Sequence, residues 1–192
     1  MQIMKSLACA CLFVVGCGGA GATPREPDEY TGCGSDEQWH TFDDNEPLAT
    51  VSNSTAPVLT QPVAGATVPS STKPILQWNQ DPSDPGKNDG DVSYIDGPGC
   101  MACCPQFNTG ALTSLHLPAI SGDEYDLQFT VGGSYLWRTI TTLQEWTPKD
   151  ALWAQMKGKS VSVKIYRLTV LVNQLKQGPY VAPTPSTFSV GN

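Results

Sequence analysis

The stretch Tyr125-Asp126-Leu127-Gln128-Phe129-Thr130-Val131 alternates apolar and polar residues without a break. A helix would scatter those side chains around its axis. A strand puts every second one on the same face, so the pattern predicts a half-buried strand. Gly132-Gly133 follows, a pair that tolerates the positive φ of a tight hairpin turn, and 134–142 returns with Tyr135, Trp137 and Ile140. Ser160-Val161-Ser162-Val163-Lys164-Ile165-Tyr166 alternates again, with Val161, Val163 and Ile165 as its apolar face, and the apolar character continues over 168–172.

Shorter strand candidates precede this region. Pro57-Val58-Leu59-Thr60-Gln61-Pro62 is bounded by proline, which cannot donate to a ladder, and reads as an edge strand. Val63-Ala64-Gly65-Ala66-Thr67-Val68 follows, then Pro74-Ile75-Leu76-Gln77-Trp78, and a last strand lies near Thr187-Phe188-Ser189-Val190. Several short strands separated by turn signals predict an all-β fold, a sandwich or barrel. One short helix is expected: Thr147 caps it, Pro148 takes the first helical position, Ala151-Leu152-Trp153-Ala154-Gln155-Met156-Lys157 continues it and Gly158 ends it.

Pro62-Val63-Ala64-Gly65-Ala66-Thr67-Val68 followed by Pro74-Ile75-Leu76-Gln77-Trp78 resembles the opening of fibronectin type III-like modules of bacterial surface proteins. The resemblance implies an Ig-like β-sandwich with Trp78 in its core, and Tyr125-Asp126-Leu127-Gln128-Phe129 and Phe188-Ser189-Val190 look like later strands of the same module. The long cysteine-containing insertion at 79–123 and the helix before Ser160 depart from that pattern.

The start of the chain carries a different signal. Lys5 precedes an apolar run from Leu7 to Val15, and Gly16-Cys17-Gly18-Gly19 follows. Such a run is far short of the ~18–20 residues that cross a bilayer, and the arrangement is that of a secretory signal peptide. Val14-Val15-Gly16-Cys17 resembles the lipobox of bacterial lipoproteins, which implies removal of 1–16 and acylation, including palmitate, on Cys17. Two or three acyl chains hold firmly where one is marginal. In that family Asp after the lipid cysteine favours inner-membrane retention, so Gly18 implies the outer membrane in a host with two membranes.

Residues 17–56 sustain no hydrophobic period and read as a flexible tether. Within it, Tyr30, Cys33, Trp39 and Phe42 are residue types that pack, so the segment around Cys33 is expected to dock on a domain spanning 57–192. The length of 192 residues suits one such domain, and five Trp imply a core despite 18 Gly and 16 Pro.

Charge restricts the partners. Residues 17–124 hold 15 acids against Arg25, Lys73 and Lys87, while 125–192 hold seven basic residues against Asp126, Glu145 and Asp150. An acidic front half repels phosphate backbones, which argues against nucleic acid, and the mild basic excess later reads as a solvated strand face. No catalytic constellation stands out in the sequence. A hydrolase triad would have to use His40 or His116, the two histidines, and no Gly-x-Ser-x-Gly elbow accompanies them.

The insertion holds the remaining chemistry. Asp81-Pro82-Ser83-Asp84-Pro85-Gly86-Lys87-Asn88-Asp89-Gly90-Asp91 is rich in oxygen ligands but keeps no EF-hand order, so a solvated turn-rich loop is expected. Cys100-Met101-Ala102-Cys103-Cys104 with His116 has the donors of a zinc or copper(I) site. Against this, loss of Cys9 and Cys11 and acylation of Cys17 would leave Cys33, Cys100, Cys103 and Cys104, an even set that suggests two disulfides outside the cytoplasm. Bonding Cys103 to its neighbour Cys104 would strain the backbone, so Cys33 is expected to pair within the cluster. A dithiol oxidoreductase is a weaker reading of Cys100-x-x-Cys103, for want of a thioredoxin-like βαβ pattern. Trp137, Trp146 and Trp153 have the side chains to stack on sugars, although core packing explains them more simply.

The sequence therefore predicts a lipid-anchored envelope lipoprotein. Its β-sandwich would bind a protein or glycan partner or serve a structural role, without catalysis, without nucleic acid and without a cofactor. A zinc- or copper-binding lipoprotein and a carbohydrate-binding surface lipoprotein are the alternatives.

Overall fold

The structure, a computed structural model, describes residues 25–79 and 120–192. The chain enters through β1 (Glu29–Thr31), α1 (Asp36–Asn45), a 3-10 turn (Glu46–Leu48) and β2 (Thr50–Val51). It continues as β3 (Val58–Gln61), β4 (Thr67–Val68) and β5 (Leu76–Asn79). After 80–119, which lie outside the described residues, come β6 (Gly122–Val131), β7 (Ser134–Thr141), β8 (Glu145–Trp146), α2 (Asp150–Met156), β9 (Ser160–Leu171), β10 (Gln174–Val181) and β11 (Ser186–Val190).

Two sheets result. The larger runs β1-β7-β6-β9-β10-β2, with β11 on the first part of β9 and β4 beyond it; the smaller is β3-β5-β8. The strict alternation of β6 decides their packing. Tyr125, Leu127 and Phe129 meet Val161, Val163 and Ile165 of β9, Phe188 and Val190 of β11, and Leu59, Leu76, Trp78 and Trp146 of the small sheet. Leu152, Trp153 and Met156 of α2 close this core. Full burial of each such side chain contributes roughly 1.5–3 kcal/mol, so the inter-sheet core is the main source of stability.

The β6–β7 turn is the expected one: Gly132 and Gly133 take φ of +58° and +79°, values that side chains with a Cβ resist. β9 joins two apolar runs into one strand. Its odd residues Val161, Val163 and Ile165 face the inter-sheet core, whereas its even residues Tyr166, Leu168 and Val170 lie in a second core on the opposite face. The strand does not flip; the cover moves from one face of the sheet to the other.

That second cover is the segment the sequence assigned to the tether 17–56. From Arg25 onward it is part of the fold. β1 adds parallel to the β7 edge, pairing Glu29, Tyr30 and Thr31 with Thr139, Ile140 and Thr141. β2 adds parallel to β10 at the far edge, pairing Thr50 and Val51 with Tyr180 and Val181. Between them α1 crosses the outer face and buries Trp39 and Phe42 against Ile140, Tyr166, Leu168, Val170 and Val181. Helix formation has a local cause as well: Ser35 is the extended N-cap, and Asp36 and Glu37 sit in the first turn, where carboxylates oppose the helix dipole. Residues 25–51 thus form a strap over the large sheet that also covers two edges, which would otherwise offer unpaired backbone groups.

Further expectations are corrected. The 145–156 region forms a short strand before its helix, and α2 starts at Asp150 with Lys149 as N-cap, leaving Thr147 and Pro148 outside it. A second helix, α1, is present. The strand β10, unanticipated because Gln174, Lys176 and Gln177 break any apolar pattern, lines an exposed part of the sheet. Asn79 ends β5 and Gly122 begins β6.

Candidate functional site

Of the site residues expected from sequence, Cys17, Cys100, Cys103, Cys104 and His116 lie outside the described residues. Cys33 lies within them, between β1 and α1, and is disulfide-bonded. No other cysteine is among the described residues, so its partner lies elsewhere in the chain. The mount of Cys33 is tight. Its N–H donates to Thr142 Oγ1 at 3.0 Å, and a Cβ on Gly32 would stand 2.5 Å from that same oxygen. Gly32 also has φ +62°, so this turn requires glycine. Among the described residues no group of three or more His, Cys, Asp or Glu is placed to hold a metal ion.

Trp146 and Trp153 are buried in the inter-sheet core, and Trp137 packs partly buried against it. Trp146 Nε1 donates to Glu29 Oε2 at 3.2 Å, and Trp153 Nε1 to the Ser70 carbonyl at 3.3 Å. These three rings therefore form no exposed stacking platform.

The most concentrated polar chemistry lies under the strap, where no sequence signal marks it. Asp126 of β6 is fully buried at the centre of the outer face. Arg138 of β7, diagonal to it, donates from Nε to both carboxylate oxygens at 3.0 and 3.1 Å and from Nη2 to Oδ2 at 2.6 Å. Nη2 also reaches Glu46 at 3.2 Å, and Nη1 donates to the Arg25 carbonyl at 2.9 Å. Gln128 bridges Asp126 and Glu46 through Nε2. The Tyr166 hydroxyl hydrogen-bonds Glu46, and Lys164 Nζ contacts that hydroxyl.

Burial raises the Asp126 carboxyl pKa, while the Arg138 bonds oppose that rise. For Arg138, burial acts to lower the pKa, but Asp126 and Glu46 outweigh it and the net direction is up. Burial and Glu46 likewise raise Tyr166. With both Arg138 nitrogen ends committed, this cluster is a lock between strap and sheet rather than a poised acid or base.

Beside it, the strap begins in a clamp. Asp28 N–H donates to the Arg138 carbonyl and Arg138 N–H to Asp28 Oδ2, both at 2.9 Å. The Tyr135 hydroxyl also bonds Asp28, and the Arg25 guanidinium lies 4.1 Å from the Tyr135 ring centroid. At the opposite end of β6, Glu124 is buried with both carboxylate oxygens lacking a hydrogen-bond partner. Burial, then the charges of Glu37 and Asp123, push its carboxyl up to about 8.

Two open grooves flank β8. One, of about 270 Å³, is lined by residues including Glu29, Ile75, Leu143 and Trp146; the other, of about 420 Å³, by Thr60, Gln77, Trp78 and Gln144. Among the described residues, their ionisable and hydroxyl lining consists of Glu29, Glu145, Thr31, Thr60 and Thr147, with no Cys, His or Lys. Comparison of the chain with family models, with curated proteins and with solved structures finds no match in any of the three.

Proposed function

We propose that this chain is an exported lipoprotein, anchored through Cys17 and directed to the outer membrane. Its folded part is read as a fibronectin type III-like β-sandwich with a non-catalytic binding or structural role. The observation that carries the fold reading is the pairing pattern: a three-stranded sheet β3-β5-β8 faced by β7-β6-β9-β10, with Trp78 on the second strand of the small sheet buried between them. The strap, the helix α2 and β11 are additions to that frame. The anchoring reading is supported by the lysine, the nine-residue apolar run and Gly16-Cys17 at the start of the chain.

Saturated bonding of the buried Asp126–Arg138 pair supports a structural role for that cluster, because acid–base chemistry needs a group able to exchange its proton with a bound substrate. The disulfide on Cys33 favours a staple over a metal site in the cysteine cluster: pairing with Cys100, Cys103 or Cys104 would remove a thiolate from the ligand set. The test of anchoring is fractionation of a Cys17→Ser variant with metabolic palmitate labelling. Wild type is expected in the membrane fraction and labelled, the variant soluble and unlabelled. Equal partitioning of the two would refute the anchor.

A further inference from the structure

The strap shortens the tether. Arg25 is already held by Tyr135 and Arg138, and it stands only eight residues after Cys17. Fully extended, that length of chain reaches at most about 28 Å. β1 runs parallel to β7, so the chain upstream of Glu29 follows β7 back toward Tyr135, at the β6–β7 turn. The sheet extends from that turn over ten residues of β6, about 30 Å, to the β9–β10 turn.

The two ends differ in charge. β9 starts beside the β6–β7 turn, with Val161 opposite Val131, and the exposed Lys157 and Lys159 immediately precede it. Arg25 lies on the same end. Glu26 and Asp28 accompany it, and Asp28 is engaged by Tyr135, Arg138 and Arg25. At the other end Glu37 and Asp123 lie beside the β9–β10 turn, where Asn173 Nδ2 donates to Glu37 at 3.0 Å and Arg167 stands 3.8 Å from Asp123, while the buried Glu124 there is held neutral. Lys176 stands there too, exposed on β10.

We infer that the end bearing the β6–β7 turn, Arg25, Lys157 and Lys159 is the membrane-facing surface of this protein, lying against anionic lipid headgroups, with the opposite end pointed away. This rests on the Cys17 anchor. The lipid supplies the affinity, which an acidic chain would not have alone, and the short tether and uneven charge supply the orientation. Bringing the opposite end to the bilayer would need the tether drawn taut along the whole sheet and would leave Arg25, Lys157 and Lys159 away from the headgroups. Each basic residue near an anionic surface is favoured about fivefold.

The test is lysine footprinting of the lipidated chain on vesicles of phosphatidylcholine and phosphatidylglycerol, with an amine-reactive reagent read by mass spectrometry. The reference is the Cys17→Ser chain in solution. Lys157 and Lys159 are expected to label about fivefold more slowly on vesicles, the size of effect that one headgroup contact each gives, while Lys176 is unchanged. A flexible Gly/Ser segment of about 20 residues inserted after Ala22 should abolish the difference. Equal rates at both ends, or slowing at Lys176, would overturn the orientation while leaving the anchor intact. Failure of the chain to attach to vesicles at all would overturn both.

Discussion

Glu124 shows what a single residue can report about this fold. Its carboxyl is buried without a hydrogen-bond partner, near Glu37 and Asp123, and is pushed up to about 8 from an ordinary 4.5. The neutral acid is therefore the form the fold accepts. Below the unfolded-state value both states hold the proton and ionisation of Glu124 contributes nothing to the difference between them. As the pH rises toward 8 the unfolded chain ionises first, and stability falls until the folded state ionises too. Glu124→Gln should match wild type near the lower limit of this window. At its upper limit the variant should be more stable by on the order of 4 kcal/mol, because each tenfold difference in proton affinity between the two states corresponds to roughly 1.4 kcal/mol. Urea denaturation at several pH values measures it; parallel stability curves for the two proteins would show that Glu124 is solvated. The period-two pattern places Glu124 on the face opposite Tyr125, but nothing local says that this face is covered. The cover comes from α1, about ninety residues earlier.

At the scale of elements, the strap is held by the buried Arg138 cluster set in an apolar layer and by the more exposed Glu29–Lys149 pair at 3.0 Å. Arg138 links β7 to Asp126 of β6, to Glu46 of the 3-10 turn and to the Arg25 carbonyl, so it touches sheet and strap together. Arg138→Met would strand Asp126, which has no solvent access, and a broken buried pair typically costs about 3–5 kcal/mol. Replacing both partners, Arg138→Met with Asp126→Leu, removes the stranded charge and should recover most of that loss. Thermal denaturation of the two variants decides the matter: a double variant no more stable than the single one would mean that Glu46 and Arg25, not Asp126, need the guanidinium. β6, β7 and the first half of β9 were legible because each has one face covered by the facing sheet, and that alternation is written locally. The strap was not. Its apolar residues are few, Trp39 and Phe42 within a run of acids, and the cation those acids answer stands more than ninety residues away. β10 escaped for another reason: Leu175 is exposed, and the residues after it are polar or turn-forming, so edge pairing rather than burial makes it a strand.

At the scale of the whole molecule, the outer layer and the inter-sheet core are unequal. The core between the sheets is built from large apolar side chains, whereas the strap joins the sheet through two short parallel ladders, one amphipathic helix and the Arg138 cluster. Buried atoms without a hydrogen-bond partner occur in both layers: Thr31 Oγ1, Trp39 Nε1, Asp43 Oδ1 and the Glu124 oxygens on the strap side, and Trp78 Nε1 and Trp137 Nε1 at the inter-sheet core. The disulfide on Cys33 sits in the middle of the strap and offsets its lighter packing by tying it covalently to chain outside the described residues. A partner within Cys100, Cys103 and Cys104 would close a loop of about 70 residues, worth roughly 4 kcal/mol in the chain-entropy account. Cys33→Ser should therefore lower the unfolding free energy by about 2–4 kcal/mol, and reduction of wild type should reproduce the loss. Hydrogen exchange should register the change first in 25–51 and only later in β6 and β9, because a weakly packed layer opens before the core. Uniform loss of protection across both layers would mean that strap and sandwich unfold as one unit, and the disulfide would then stabilise the domain as a whole rather than its outer cover.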